Sequence, residues 1–247
     1  MKENRGRVTN AISHTILPHD ASEFRKLEQE MKAALLDDQR QGLAVPAEQA
    51  GHDGKVLQEI LEEFLTHPLC KGQTCKPVLY LHHDFRSRFC SFGDGIIVPS
   101  HEVATDDPSS LRRVRAVIAH ELGHIISRDY DPTEKARDTH RYMNQRMERR
   151  ADLIAAHLCG DGGEALADWL TINNRIEKTF SKALTNHSSW LDRVTNRIVN
   201  GLHRQYPPME ARIRYLRSWT EQLRQGEPLP DAKSPNLPNT QYTGQSK

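Results

Sequence analysis

His120-Glu121-Leu122-Gly123-His124 is the stretch on which the reading of this chain turns. On an α-helix, positions i and i+4 share one face, so the two imidazoles stand a turn apart and reach a common cation. Glu121, rotated by about 100°, lies at the edge of that face. Upstream, Asp106-Asp107-Pro108-Ser109-Ser110 reads as a helix start. Asp107 serves as the cap and Pro108 takes the first helical position, where a missing N–H costs nothing. Leu111, Val114, Val117, Ile118 and Leu122 then recur at helical spacing, which puts the motif in mid-helix and partly buried.

Two histidines leave a hydrolytic zinc site one protein ligand short, since such sites hold three and keep the fourth position open. Asp129, Glu134, His140, Glu148 and Asp152 are the downstream candidates. A third ligand six residues on is excluded, because Ser127 and Tyr130 stand where the extended pattern has Gly and His. A second helix is expected over residues 147–159, stopped by Gly160. It aligns Glu148, Ala151, Asp152 and Ala155 on one face, with alanines small enough for close helix approach. Glu148 is placed to reach the metal and Asp152 to accept from the free ring nitrogen of a ligating histidine. The plain alternative for Glu148 is a surface partner for a neighbouring arginine.

These residues resemble the gluzincin metallopeptidases that include the bacterial HtpX proteases and the CAAX prenyl endopeptidases. The resemblance rests on His-Glu-Leu-Gly-His at 120–124, Glu148-x-x-Ala151-Asp152, and Pro207-Pro208 followed by Arg212-Ile213 and Leu216. It implies that His120, His124 and Glu148 bind one Zn2+ and that Glu121 is the general base, taking a proton from water and passing it to the leaving amine. Arg212 occupies the position of an arginine thought to steady the oxyanion. Tyr206 stands where the family has histidine, and its hydroxyl is also a competent donor.

The substrate-facing part is less sharply written. Residues 77–81 form a short β-rich run, and residues 88–99, with Gly93-Asp94-Gly95 at the turn, read as a hairpin leading into the motif helix. In the resembled family, the strand before that turn is a sheet edge to which an extended peptide adds. Phe89, Cys90 and Ser91 are therefore the candidate substrate edge, and the partner is a protein or peptide. Cys90 is also a conceivable inhibitory metal ligand.

With 247 residues, 36% of them hydrophobic, the chain has enough apolar material for one core. A net charge of +1 argues against recruitment to nucleic acid, and the arginine clusters at 112–115 and 212–217 read as solvated helix faces. No apolar run reaches membrane-spanning length and residues 1–20 lack a signal-peptide core, so a complete chain of this sequence is expected in the cytoplasm. There Cys70, Cys75, Cys90 and Cys159 are expected as free thiols, with a Cys70–Cys75 disulfide conceivable elsewhere.

The expected fold is α+β and mostly helical, a zincin-like metallopeptidase domain with a small sheet before the motif helix. Helices are expected at 22–36, 55–65, 164–174, 175–185, 188–203 and 208–225, with a loop at 39–53. The domain division is an N-terminal, possibly regulatory region at 1–54, a metallopeptidase domain at 55–225 and a disordered tail at 226–247. Four functions fit: a zinc endopeptidase, a regulator-cleaving protease of the repressor-associated type, a non-catalytic metal-bound peptide scaffold, and a peptidase held latent by residues 1–54. Oligomeric state is not legible.

Overall fold

The computed structural model describes residues 21–71, 76–84, 89–127, 140–187 and 208–232. Among these residues, six α-helices accompany a four-stranded sheet: α1 (Ala21–Arg40), β1 (Ala44–Pro46), α2 (Gly51–Leu65), β2 (Val78–His82), β3 (Cys90–Phe92), β4 (Gly95–Pro99), α3 (Pro108–Ile126), α4 (His140–Cys159), α5 (Glu164–His187) and α6 (Met209–Arg224). This is the expected mostly helical α+β architecture of zincin-like type. No described helix is long and apolar enough to cross a membrane.

Strand order is β1-β2-β4-β3. β3 and β4 form the expected antiparallel hairpin, β2 runs parallel to β4, and β1 pairs antiparallel with β2. Because strand side chains alternate faces, the register sorts them into two cores. Leu79, Leu81, Ile96 and Val98 face the main core beside Leu57, Leu61 and Phe64 of α2 and Val117, Ile118 and Leu122 of α3. Ile97, Phe92 and Ala44 face the other way, against Leu35 of α1, with Tyr80, Cys90 and Met31 partly buried around them. The central strand β4 is consequently buried along its whole length.

That second core runs across the division expected at residue 54. α1 covers one face of the sheet and β1 extends it, so residues 31–50 belong to the same packed unit as the motif helix. The sequence hid β1 because three residues, Ala44-Val45-Pro46, are too few to display alternation. Two other boundaries also move. The helices expected at 164–174 and 175–185 are one continuous α5, there being no Gly or Pro between them, and α2 begins at Gly51. The chain after Gly226, expected to be disordered, lies on the core as far as Ala232: Ala232 is buried, Leu229 packs against the core, and the Pro230 carbonyl is 2.8 Å from His157 Nε2. Residues 1–20, 188–207 and 233–247, and with them the helix expected at 188–203, lie outside the described residues.

Candidate metal centre

Asp107 caps α3 as its sequence requires, its carboxylate accepting from the Ser109 and Ser110 backbone N–H groups at 3.0 and 3.1 Å, with Pro108 behind it. The five-residue motif lies in the last turns of α3 rather than mid-helix, and all five of its residues are buried. α4 packs closely against it at Gly123 and Ala151. A Cβ added to Gly123 would come within 2.9 Å of the Ala151 backbone. Gly123 and Ala151 thus remove the side chains that would hold the helices apart, and Glu148 and Asp152, flanking Ala151 on α4, arrive over the two histidines.

The three donor groups converge. His120 Nε2 and His124 Nε2 are 3.2 Å apart, and each lies 3.5 Å from an oxygen of Glu148. Donors about 2.0–2.1 Å from a tetrahedral zinc are separated by about 3.3 Å; the two imidazole nitrogens match one such edge, while the Glu148 contacts are made by different oxygens, Oε2 to His120 and Oε1 to His124. Among the described residues, His120, His124 and Glu148 are the group of metal-ligating type found together. Of the other candidate ligands, Asp129, Glu134 and the His140 side chain lie outside what is described.

Asp152 is wholly buried and sits 2.9 Å from His120 Nδ1, the ring nitrogen turned away from the donor cluster. A carboxylate beside Nδ1 favours the tautomer that presents Nε2 to a cation, although the 2.9 Å approach is an ion-pair contact and not an aligned hydrogen bond. Arg212 grips the same carboxylate with two hydrogen bonds, Nε to Oδ2 at 2.9 Å and Nη2 to Oδ1 at 2.6 Å, and its Nη1 lies 2.9 Å from Glu148 Oε2. Tyr215 donates its hydroxyl to Asp152 Oδ2 as well. Across the cluster from Arg212, Ser91 donates to Glu121 Oε2 at 2.7 Å. The hairpin register explains this contact: Ser91 pairs with Ile96 on the face toward α3, whereas Cys90 pairs with Ile97 on the face toward α1.

Electrostatically the cluster seeks positive charge. Burial by itself would lower the His120 pKa, but the Asp152 and Glu148 contacts outweigh it and carry the ring up to about 10. Burial works to raise Glu148, yet the Arg212 charge and the two histidines hold it down at about 2; Asp152 is depressed against its burial by Arg212 and His120. Two carboxylates, Glu148 and Asp152, meet the guanidinium of Arg212 in this network. Among the described cysteines, burial pushes the Cys70 thiol up to about 11 and Cys159 up to about 12, and Cys90 higher still.

Of the residues expected at the site, His120, Glu121, His124, Glu148, Asp152, Arg212 and Ser91 are brought together, and β3 is an edge strand of the described sheet. Phe89 does not join them; it packs edge-on against Trp169 of α5 at 5.8 Å. Tyr206 and Cys75 lie outside the described residues. Tyr215 was not anticipated, although its place three residues after Arg212 puts it on the same face of α6.

A buried cation-seeking cluster of two histidines and a glutamate, on crossed helices beside an edge strand, defines a metallopeptidase-like centre. Residues 80–188 match the family model of the IrrE N-terminal-like domain (Peptidase_M78), which supports a metal-dependent, protease-type domain. The match is to that family and not to the HtpX and prenyl endopeptidase group; the Pro207-to-Leu216 segment that pointed there falls beyond residue 188. No curated protein and no solved structure matches the chain.

Proposed function

We propose that this protein is a zinc-dependent endopeptidase that hydrolyses peptide bonds, with His120, His124 and Glu148 as ligands and Glu121 as general base. The observation that carries the proposal is the convergence of one donor atom each from His120, His124 and Glu148 within 4.8 Å of one another, the two imidazole nitrogens 3.2 Å apart, with Glu121 next in sequence to one of them. A bound ion supplies Lewis-acid activation of a water and of the scissile carbonyl.

The chain's own residues supply the rest. Glu121 is oriented by the Ser91 hydroxyl, which occupies Oε2 and leaves Oε1 to take a proton and return it to the leaving amine. Ser91 sits on the edge strand, so a peptide added to β3 by backbone hydrogen bonds runs beside the base. Arg212 is tied to Asp152 and Glu148, which favours a role in holding ligands over direct oxyanion contact. Among substrates, a regulatory protein of the repressor-associated type is favoured over general peptides, because the family match is to the IrrE N-terminal-like domain.

Zinc analysis and cleavage of casein by the purified full chain test the enzyme reading, with a repressor-type protein as second substrate. Wild type is expected to hold zinc and to cleave at least one of them in a chelator-sensitive way. Glu121→Gln should keep the zinc and lose about 10²-fold or more of the rate, while His120→Ala, His124→Ala and Glu148→Ala lose both. Undiminished cleavage by Glu121→Gln refutes the base assignment. Bound zinc with neither substrate cleaved points instead to the non-catalytic scaffold.

A further inference from the structure

Asp152 is the most heavily committed carboxylate in the molecule's centre. A carboxylate offers about four lone-pair positions. Oδ1 faces His120 Nδ1 at 2.9 Å and accepts from Arg212 Nη2 at 2.6 Å, and Oδ2 accepts from Arg212 Nε at 2.9 Å and from the Tyr215 hydroxyl. With 0% of its surface exposed, no water can stand in for a lost donor. Three of these four contacts come from one helix, α6, which lies outside the residues matched by the family model. Arg212 has a second claimant: its Nη1 is 2.9 Å from Glu148 Oε2, the oxygen that also lies 3.5 Å from His120 Nε2. A guanidinium that slipped from Asp152 toward Glu148 would compete with a cation for that oxygen.

We propose that Tyr215 is a positioning residue for the metal centre: with Arg212 it fixes the Asp152 carboxylate that orients the His120 ring, so that the docking of α6 sets the affinity of the site. The inference rests on the reading of His120, His124 and Glu148 as metal ligands. Donation to Oδ2 holds the plane of the Asp152 carboxylate, keeps the Arg212 fork engaged there, and leaves Glu148 available. Outer hydrogen-bond partners of this kind change metal affinity by roughly 10–100-fold when removed. The ring of Tyr215 has a separate packing task, lying 4.8 Å from Trp219 with the Arg149 guanidinium 5.3 Å away, and a phenylalanine keeps that task while losing the hydroxyl.

The test is Zn2+ affinity of the full metal-stripped chain, read by competition with a chromophoric chelator, and the visible spectrum of the Co2+ form. Tyr215→Phe is expected to weaken binding about tenfold or more and to shift the Co2+ bands, whereas Trp219→Phe, which disturbs only the packing, stays within twofold. In an Asp152→Asn background, Tyr215→Phe should have no further effect, since its route to the metal is gone. Arg212→Lys keeps the charge and loses the fork; it serves in the same cycle if Tyr215→Phe does not fold. Affinity within twofold of wild type for Tyr215→Phe, or an undiminished effect in the Asn background, overturns the proposal. Should wild type and Glu148→Ala bind Zn2+ equally or not at all, the ligand assignment itself has failed, and that result is distinct from a failure of Tyr215 alone.

Discussion

At the scale of single residues, the contact between Ser91 and Glu121 joins the proposed substrate edge to the proposed base. Ser91→Ala leaves β3 and its pairing intact and removes the donor 2.7 Å from Oε2. A hydrogen bond to a charged group contributes on the order of 1.5 kcal/mol, so hydrolysis should fall about tenfold while zinc content is unchanged. Steady-state cleavage with metal analysis of the same sample checks this, and an unchanged rate would show that Glu121 needs no such support. The sequence displayed the site residues unevenly for a physical reason. His120, Glu121 and His124 lie within one turn, and Glu148 and Asp152 are a turn apart on one helix, so helical periodicity alone aligns each set. Ser91 and Tyr215 reach the centre across 30 and 63 residues of chain, and no local period records such contacts.

Between elements, the decisive event is the crossing of α3 over α4. Gly123 is a poor helix former, and its presence in the motif turn is explained by the Ala151 backbone 2.9 Å from where a Cβ would stand. Gly123→Ala should gain up to about 1 kcal/mol of helix propensity and lose about 1–3 kcal/mol to overpacking, leaving the apo protein less stable in urea. Because the displaced helix carries Glu148, zinc affinity should fall in the same variant; a stabilised protein with unaltered affinity would mean that the crossing tolerates a methyl group. Elements with their own boundary chemistry were legible: Asp107 and Pro108 open α3, Gly160 at φ 67° closes α4, and the Gly93-Asp94 turn joins β3 to β4. β1 and the junction inside α5 were not. Pairing with β2 makes the first a strand, and nothing in the second interrupts the helix.

Across the whole molecule, α1 and β1 belong to the fold that carries the centre, and this bears on latency. Deleting residues 1–50 strips the cover from Ile97 and Phe92 and leaves β2 an open edge. The expected outcome is an aggregating chain without a cooperative melt, and a folded truncation of higher activity would restore the autoinhibition reading. The charge of the centre also acts on the whole fold. Glu148 and Asp152 have folded pKa values below their ordinary 4.5 and 3.8, so their contribution is complete above about pH 5 and is lost as pH falls. His120 is raised from 6.5 to about 10; its contribution is complete below about pH 6 and drains away as pH rises toward 10. The metal-free protein should therefore melt highest between about pH 5 and 6 and decline on both sides. On the proposed ligand set, bound zinc would displace the His120 proton and take over its role as counter-charge, so the alkaline decline should vanish in the loaded protein. At a free zinc level of 100 times Kd the added stability is about 2.7 kcal/mol, or roughly 5–10 °C in melting temperature. Calorimetry of both forms from pH 5 to 9 reads this directly, and a metal-free melting temperature that rises through that range would mean that the histidine is not held as a cation by its two carboxylates.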